Sequence, residues 1–196
     1  MTAKSANMPA DNIERAIKKG TGELPGTSYE EVTYEGYGPG GVALLIEVVT
    51  DNKKRTVAEI RSLLTKYGGS MGETGCVNWM FTQKGLMALP KEQIDEADLM
   101  DIVLEAGAED LTVEKDVYEV ITSKDDFETV KKAVKGKNLE TSVSELAMIP
   151  QSSVTLDEAR AKQMLKLMEH LEDHDDVQKV HANFDIADEI MEALAG

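Results

Sequence analysis

Residues 86–149 read, in order, as strand, helix, strand, strand, helix and strand, and few folds accept that order. A short strand at 86–89 runs into Pro90. Leu99, Ile102 and Val103 share one face of a helix that ends near Gly107. Strands are expected at 111–113 and 117–122, and a helix through Phe127, Val130 and Val134 stops at Gly136. A last strand covers 141–148. This is the split βαβ, or ferredoxin-like, order, with apolar positions enough for a core of its own.

The flanking segments do not close separately. Residues 30–35 alternate as a strand, with Val32 and Tyr34 on one side, and Gly36-Tyr37-Gly38-Pro39-Gly40-Gly41 is a turn. Residues 42–49 are apolar on both faces, as a central strand is. Thr56 and Glu59 form a capping box for a helix that buries Val57, Ile60, Leu63, Leu64 and Tyr67 and ends at Gly68-Gly69. A strand at 76–82 is expected to turn Trp79 and Phe81 into the core. Beyond the central stretch, 151–155 is extended. A second capping box, Thr155 and Glu158, opens a helix to about Glu172 that buries Ala161, Met164, Leu165, Met168 and Leu171. Val180, Ala182 and Phe184 alternate as a strand, and Ile186, Ile190 and Leu194 fit a closing helix. Neither flank has the strands and helices for a core alone, but together they do. The expected fold is therefore α+β, with two ferredoxin-like-type α/β domains, one inserted in the other. Residues 28–89 and 151–196 form the discontinuous domain, and 90–150 the inserted acidic one. Ahead of them, Ile13, Ala16 and Ile17 mark a helix over 9–19, and the Gly- and Pro-containing stretch 20–28 reads as a linker.

Charge narrows the function. The net charge is -16, but residues 92–150 carry six basic and sixteen acidic side chains, while 28–91 carry seven of each. Such a polyanion repels phosphate except where cations cluster. The densest cluster is Lys53, Lys54, Arg55, Arg61 and Lys66, diluted by Glu59. Lys53-Lys54-Arg55 falls where a strand passes into a helix, and a helix N-terminus already favours anions. An exposed loop whose turn is fixed by Asp51 or Asn52 accounts for the same run equally well. Arg15, Lys18 and Lys19 are the other place where cations gather. These six, Arg15, Lys18, Lys19, Lys53, Lys54 and Arg55, form the expected nucleic-acid-binding surface.

No catalytic group, metal or cofactor is expected. His170 and His174 have the i, i+4 spacing of a metal-binding helix, but Leu171 stands where a zincin has glutamate, so they read as a solvated helix end beside Asp173, Asp175 and Asp176. Gly36–Gly41 precedes a strand rather than a helix and is no phosphate loop. The lone Cys76, the lack of any apolar run of about eighteen residues and the lack of a signal-peptide core point to the cytoplasm, with no membrane partner.

The run Asn7-Met8-Pro9-Ala10-Asp11-Asn12-Ile13-Glu14-Arg15-Ala16-Ile17-Lys18-Lys19-Gly20 resembles a signature of the YebC family of transcriptional regulatory proteins. So do Tyr34-Glu35-Gly36-Tyr37-Gly38-Pro39-Gly40-Gly41-Val42-Ala43, Thr50-Asp51-Asn52, Arg55-Thr56, Arg61, Gly68-Gly69, Gly72, Gly75 and Asn183-Phe184-Asp185. The resemblance implies three domains, the last inserted in the middle one, and makes residues 1–27 the remnant of a helical N-terminal domain most of which is expected to be lacking. It implies a non-enzymatic regulator that binds DNA. A mitochondrial branch resembles a translational activator of cytochrome c oxidase subunit I, so an RNA- or ribosome-associated translation factor is the alternative. A third reading is an acidic module that contacts a basic protein. Binding of DNA, RNA or the ribosome is expected to be weak for this chain.

Overall fold

The computed structural model describes residues 28–195; the expected helix at 9–19, the linker, and Arg15, Lys18 and Lys19 lie outside them. In chain order the elements are β1 (Glu30–Tyr37), β2 (Ala43–Thr50), α1 (Lys53–Lys66), β3 (Ser70–Met71), β4 (Phe81–Pro90), α2 (Glu96–Glu105), β5 (Ala108–Val113), β6 (Val117–Thr122), α3 (Phe127–Gly136), β7 (Val143–Pro150), β8 (Val154–Thr155), α4 (Glu158–Glu172), β9 (Val177–Ala182), β10 (Phe184–Asp185) and α5 (Asp188–Ala195). They divide into two compact units, one of residues 28–79 with 152–195, the other Met80–Gln151.

In the first unit the sheet order is β3-β1-β2-β9, with β10 and β8 as a separate parallel pair. β2 lies between β1 and β9 and is antiparallel to both, which explains its apolar residues on both faces. Val42, Leu44, Ile46 and Val48 of this strand region share a core with Ile60 and Leu64 of α1 and with Ala161, Met164, Leu167 and Leu171 of α4. Phe184 packs against the same core as Val48, so the two flanks of the sequence fold as one body. Asn183, 1% exposed, ties them further: its side chain accepts from Ala43 N–H at 2.7 Å and donates to the Ser152 carbonyl at 3.1 Å. The β1–β2 turn needs glycine at 40, where φ is +79° and a Cβ would stand 2.8 Å from Leu156 Cδ2.

The second unit has sheet order β5-β6-β4-β7, all antiparallel, the ferredoxin-like arrangement. Met87, Leu89, Tyr118 and Val120 face Leu99 and Val103 of α2 and Phe127, Val130 and Val134 of α3.

Several local expectations are corrected. The strands foreseen at 76–82 and 86–89 are not separate: residues 78–80 form a single 3-10 turn, and one strand runs from Phe81 to Pro90. It pairs along its length with β7 and β6, so it belongs to the second unit, and the division falls at Met80 rather than at 90. Trp79 is therefore not in the core but 67% exposed, whereas Phe81 is buried. Neither capping box forms. α1 is capped by Asn52, which accepts from Arg55 N–H, and α4 by Asp157, which accepts from Arg160 N–H. Asn52 and Asp157 each stand three residues before the amide they cap and start their helices at Lys53 and Glu158, leaving Thr56 and Thr155 other work.

Candidate nucleic-acid interface

The strand-to-helix passage after β2 is shaped by its own side chains. Thr50 Oγ1 accepts from Asn52 N–H at 2.9 Å, and Asn52 Oδ1 accepts from Arg55 N–H at 3.1 Å. These two short-range bonds fix the turn and leave Lys53, Lys54 and Arg55 in the first turn of α1.

Thr56 points inward from that turn and is fully buried. Its hydroxyl donates to Asp176 Oδ2 at 2.6 Å, Thr50 Oγ1 lies 3.1 Å from the same oxygen, and Arg55 donates to it at 2.8 Å. The pairing of β2 with β9 shifts between Glu47 and Val48, and Val49 N–H donates to the Asp176 carbonyl at 2.9 Å, which holds Asp176 at the end of β2 within reach of Thr50. Asp176 is 8% exposed. Burial pushes its carboxyl up, but the bonds from Thr56, Arg55 and Thr50 outweigh that and hold it below the usual aspartate value.

The expected solvated helix end at 170–176 is corrected on this point. α4 stops at Glu172, so His170 and His174 do not share a helix. His170 packs on the Tyr67 ring, with centroids 5.2 Å apart. His174 Nδ1 accepts from Asp176 N–H at 3.1 Å, so the ring proton sits on Nε2, which meets Glu59 Oε2 at 3.0 Å. Glu59, His174 and Asp176 bring ligand atoms within 4.8 Å of one another. The donor set does not fit a metal. Nε2 holds the ring's proton because Nδ1 is engaged, and Asp176 Oδ2 already receives two hydroxyl groups and a guanidinium. Arg55 occupies the position a cation would take, with Asp51 Oδ1 at 3.2 Å and Glu59 Oε2 at 3.8 Å as well.

α1 thus has two sides of opposite character. A cleft of about 1260 Å³ is lined by Asp51, Glu59, Asp173, Asp175 and Asp176, with Arg55 as its cation. The outward face carries Lys54, Arg61 and Lys66, all exposed, with the small Ala58, Ser62 and Thr65 between them. None of these three cations has an acidic partner among the described residues. Lys53 is paired with Glu30 at 2.6 Å, but both are half exposed, and such a pair is worth about 0–1 kcal/mol. Of the sequence-derived cations, then, Lys54 has no acidic partner among the described residues, Lys53 is weakly engaged, and Arg55 is committed to three acids.

A second organised carboxylate lies in the same unit. Glu35, 6% exposed, accepts from Gly75 N–H at 2.6 Å on Oε1 and from Val77 and Asn78 N–H, both at 2.8 Å, on Oε2. Burial pushes its carboxyl up, and the three amide bonds prevail and hold it below the usual range. Those amides are thereby unavailable to a sheet, which is why the strand expected at 76–82 does not begin until Phe81. Gly75 sits at φ +88°, a conformation the tight loop requires.

Sequence reasoning gave Glu35 no role of its own and read His174 and Asp176 as solvated. No local pattern marks them, since their partners lie about 40 to 126 residues away. It also passed over Lys131, Lys132, Lys135 and Lys137, which gather toward the C-terminal turn of α3, where cations offset the helix dipole. Among the described residues no helix is long and apolar enough to cross a membrane.

A family model described as the TACO1/YebC second and third domain matches residues 29–184. A "Probable transcriptional regulatory protein" of Syntrophus aciditrophicus is 56% identical over 196 residues, which is 100% of this chain and 78% of that protein. Another of the same description, from Dictyoglomus turgidum, is 55% identical and covers 98% of this chain and 78% of its own length. The crystal structure of a conserved hypothetical protein from Aquifex aeolicus is similar with a TM-score of 0.80 at 43% identity, over 96% of this chain and 78% of that one.

Proposed function

The chain belongs to the TACO1/YebC family, and we propose that it is a cytoplasmic, non-enzymatic regulator of gene expression that holds a nucleic-acid backbone on the outward face of α1. The observation that carries the reading is the cationic strip Lys54, Arg61 and Lys66, without an acidic partner among the described residues and spaced by small side chains, on a protein of net charge -16. Small residues between cations let a phosphate backbone approach closely. Lys53 joins the strip by exchanging its exposed carboxylate partner for a phosphate, and Arg15, Lys18 and Lys19 are proposed on sequence grounds as further phosphate contacts. Arg55 serves by holding the first turn of α1 against Asp176. Contacts of this kind place a backbone without reading bases. Binding is therefore weak, largely independent of sequence, and open to DNA, RNA or the ribosome as target.

The absence of catalysis is supported by how the buried acids are used. Glu35 accepts from three amides, Asp176 Oδ2 from two hydroxyls and Arg55, and His174 is bonded at both ring nitrogens, so each is engaged in holding the fold. A second reading, a module that receives a basic protein segment, is favoured by the five acids lining the cleft beside Arg55 and by the sixteen acids of residues 92–150.

The test is fluorescence anisotropy with labelled duplex DNA and single-stranded RNA. The proposed function expects wild type to bind both and the Lys54→Ala, Arg61→Ala, Lys66→Ala variant to lose at least tenfold on each. Equal affinity of variant and wild type rejects the α1 face, and binding only to a basic peptide favours the second reading.

A further inference from the structure

Four of the six cations of residues 92–150, namely Lys131, Lys132, Lys135 and Lys137, fall within seven residues at the C-terminal end of α3. Phe127, Val130 and Val134 are buried and set the register of the helix. That register leaves Lys132, Lys135 and Lys137 exposed and lays Lys131 over the Phe127 ring, with its Nζ 5.3 Å from the centroid. None of the four has an acidic partner among the described residues. Elsewhere in this unit acids dominate: α2 carries Glu96, Asp98, Asp101 and Glu105 and no cation. The helix end does not account for so many lysines. A helix C-terminus carries about half a negative charge, which one lysine offsets. Its last carbonyls already accept from the chain itself: Lys137 and Leu139 N–H donate to Val134, at 3.1 and 3.4 Å, and Asn138 N–H to Lys135 at 3.0 Å. Like charges at i, i+3 and i, i+4 oppose a helix, so Lys131, Lys132 and Lys135 work against the fold that holds them.

We infer that this end of α3 is a second phosphate-binding site, so that each compact unit carries its own contact to a nucleic-acid backbone. The inference rests on the nucleic-acid reading above and adds to it a separate place of contact. A backbone contact needs cations within reach and no reading of bases. A protein interface differs: its core is apolar or aromatic, and lysine is depleted there. None of the exposed large apolar side chains lies on α3. Gly136, between Lys135 and Lys137, leaves the backbone bare, and a Cβ there would meet nothing within 4 Å, so packing does not require the glycine. Bare backbone between cations lets a phosphate come close. The acids of the rest of the unit repel an anion and confine its contact to this end.

The test uses the full chain and a labelled duplex DNA of random sequence, with anisotropy read between 50 and 200 mM salt. The Lys132→Ala, Lys135→Ala, Lys137→Ala variant should bind about tenfold more weakly at the lower salt, with a slope of log affinity against log salt shallower by roughly two to three. Arginine at the same three positions should keep both affinity and slope, since it keeps the charge. Combined with Lys54→Ala, Arg61→Ala, Lys66→Ala, the two reductions in slope should add, as independent contacts do. The three lysines are exposed, and matching circular dichroism melts exclude unfolding as the cause of a loss. If the α3 variant binds as wild type while the α1 variant is impaired, the second site is refuted and the α1 reading stands. If the α3 variant is impaired and the α1 variant is not, the α1 reading fails and the second site stands. If no nucleic acid binds, both fail. A loss confined to binding of polyglutamate, with DNA binding unchanged, refutes the site in favour of an acidic protein partner.

Discussion

Replacing Asp176 probes the junction on which α1 depends. The carboxylate is 8% exposed and receives Thr56, Thr50 and Arg55. A bond to a charged group contributes about 1.5–3 kcal/mol, and a buried donor stripped of its acceptor costs about 1–3 kcal/mol. Asp176→Ala leaves two buried hydroxyls that can still bond to each other across 2.8 Å, and Arg55 retains Asp51 and Glu59. Removing the cost of burying the carboxylate offsets part of the loss. The net expectation is a destabilisation of about 3 kcal/mol, confined to the unfolding of the first unit. Asp176→Asn keeps the shape and one acceptor and should lose about half as much. pH separates charge from packing. Because the folded carboxyl lies below its unfolded value of 3.8, its contribution is full well above that pH and is lost as pH falls through 3.8 toward the folded value. The asparagine variant should therefore show a shallower acid limb than wild type. Urea unfolding followed by circular dichroism between pH 3 and 7 measures both quantities. A loss under about 0.5 kcal/mol for the alanine variant, or identical acid limbs, would refute the reasoning.

Glu35→Gln sets an amide NH2 against at least one backbone donor, because both carboxylate oxygens are acceptors; a loss of about 2 kcal/mol is expected. Hydrogen exchange at Gly75, Val77 and Asn78 should accelerate, and unchanged protection there contradicts the role given to Glu35. Gly40→Ala should destabilise more than Gly41→Ala in thermal melts. Both positions have positive φ, costing about 1–2 kcal/mol for alanine, but only at 40 does the added carbon meet Leu156. Equal losses would show that the contact is relieved without cost.

What could be read from the sequence was whatever depends on near neighbours. The ferredoxin-like order of the second unit follows from the 3.6-residue spacing of Leu99 with Val103 and of Phe127, Val130 and Val134, and all five are core residues. The central position of β2 followed from its apolar residues on both faces. The outward turn of Trp79 could not be read, because it depends on Glu35 capturing amides about forty residues further on. Arg55 illustrates the same limit at the site. In sequence it is one of three consecutive cations, and only the fold reveals that Asp176, 121 residues away, has claimed it. Lys54, Arg61 and Lys66 were legible as a cluster, but which of the five cations face outward required the helix register.

The central claim is that the outward face of α1 binds phosphates, and the salt dependence of binding tests it most directly. Each phosphate contact contributes about 0.9 to the slope of log affinity against log salt on duplex DNA, and about 0.7 on a single strand. Measured by anisotropy between 50 and 200 mM salt, the Lys54→Ala, Arg61→Ala, Lys66→Ala variant should have a slope shallower than wild type by roughly two to three. A variant that weakens binding yet keeps the wild-type slope, or that changes neither, would contradict the account.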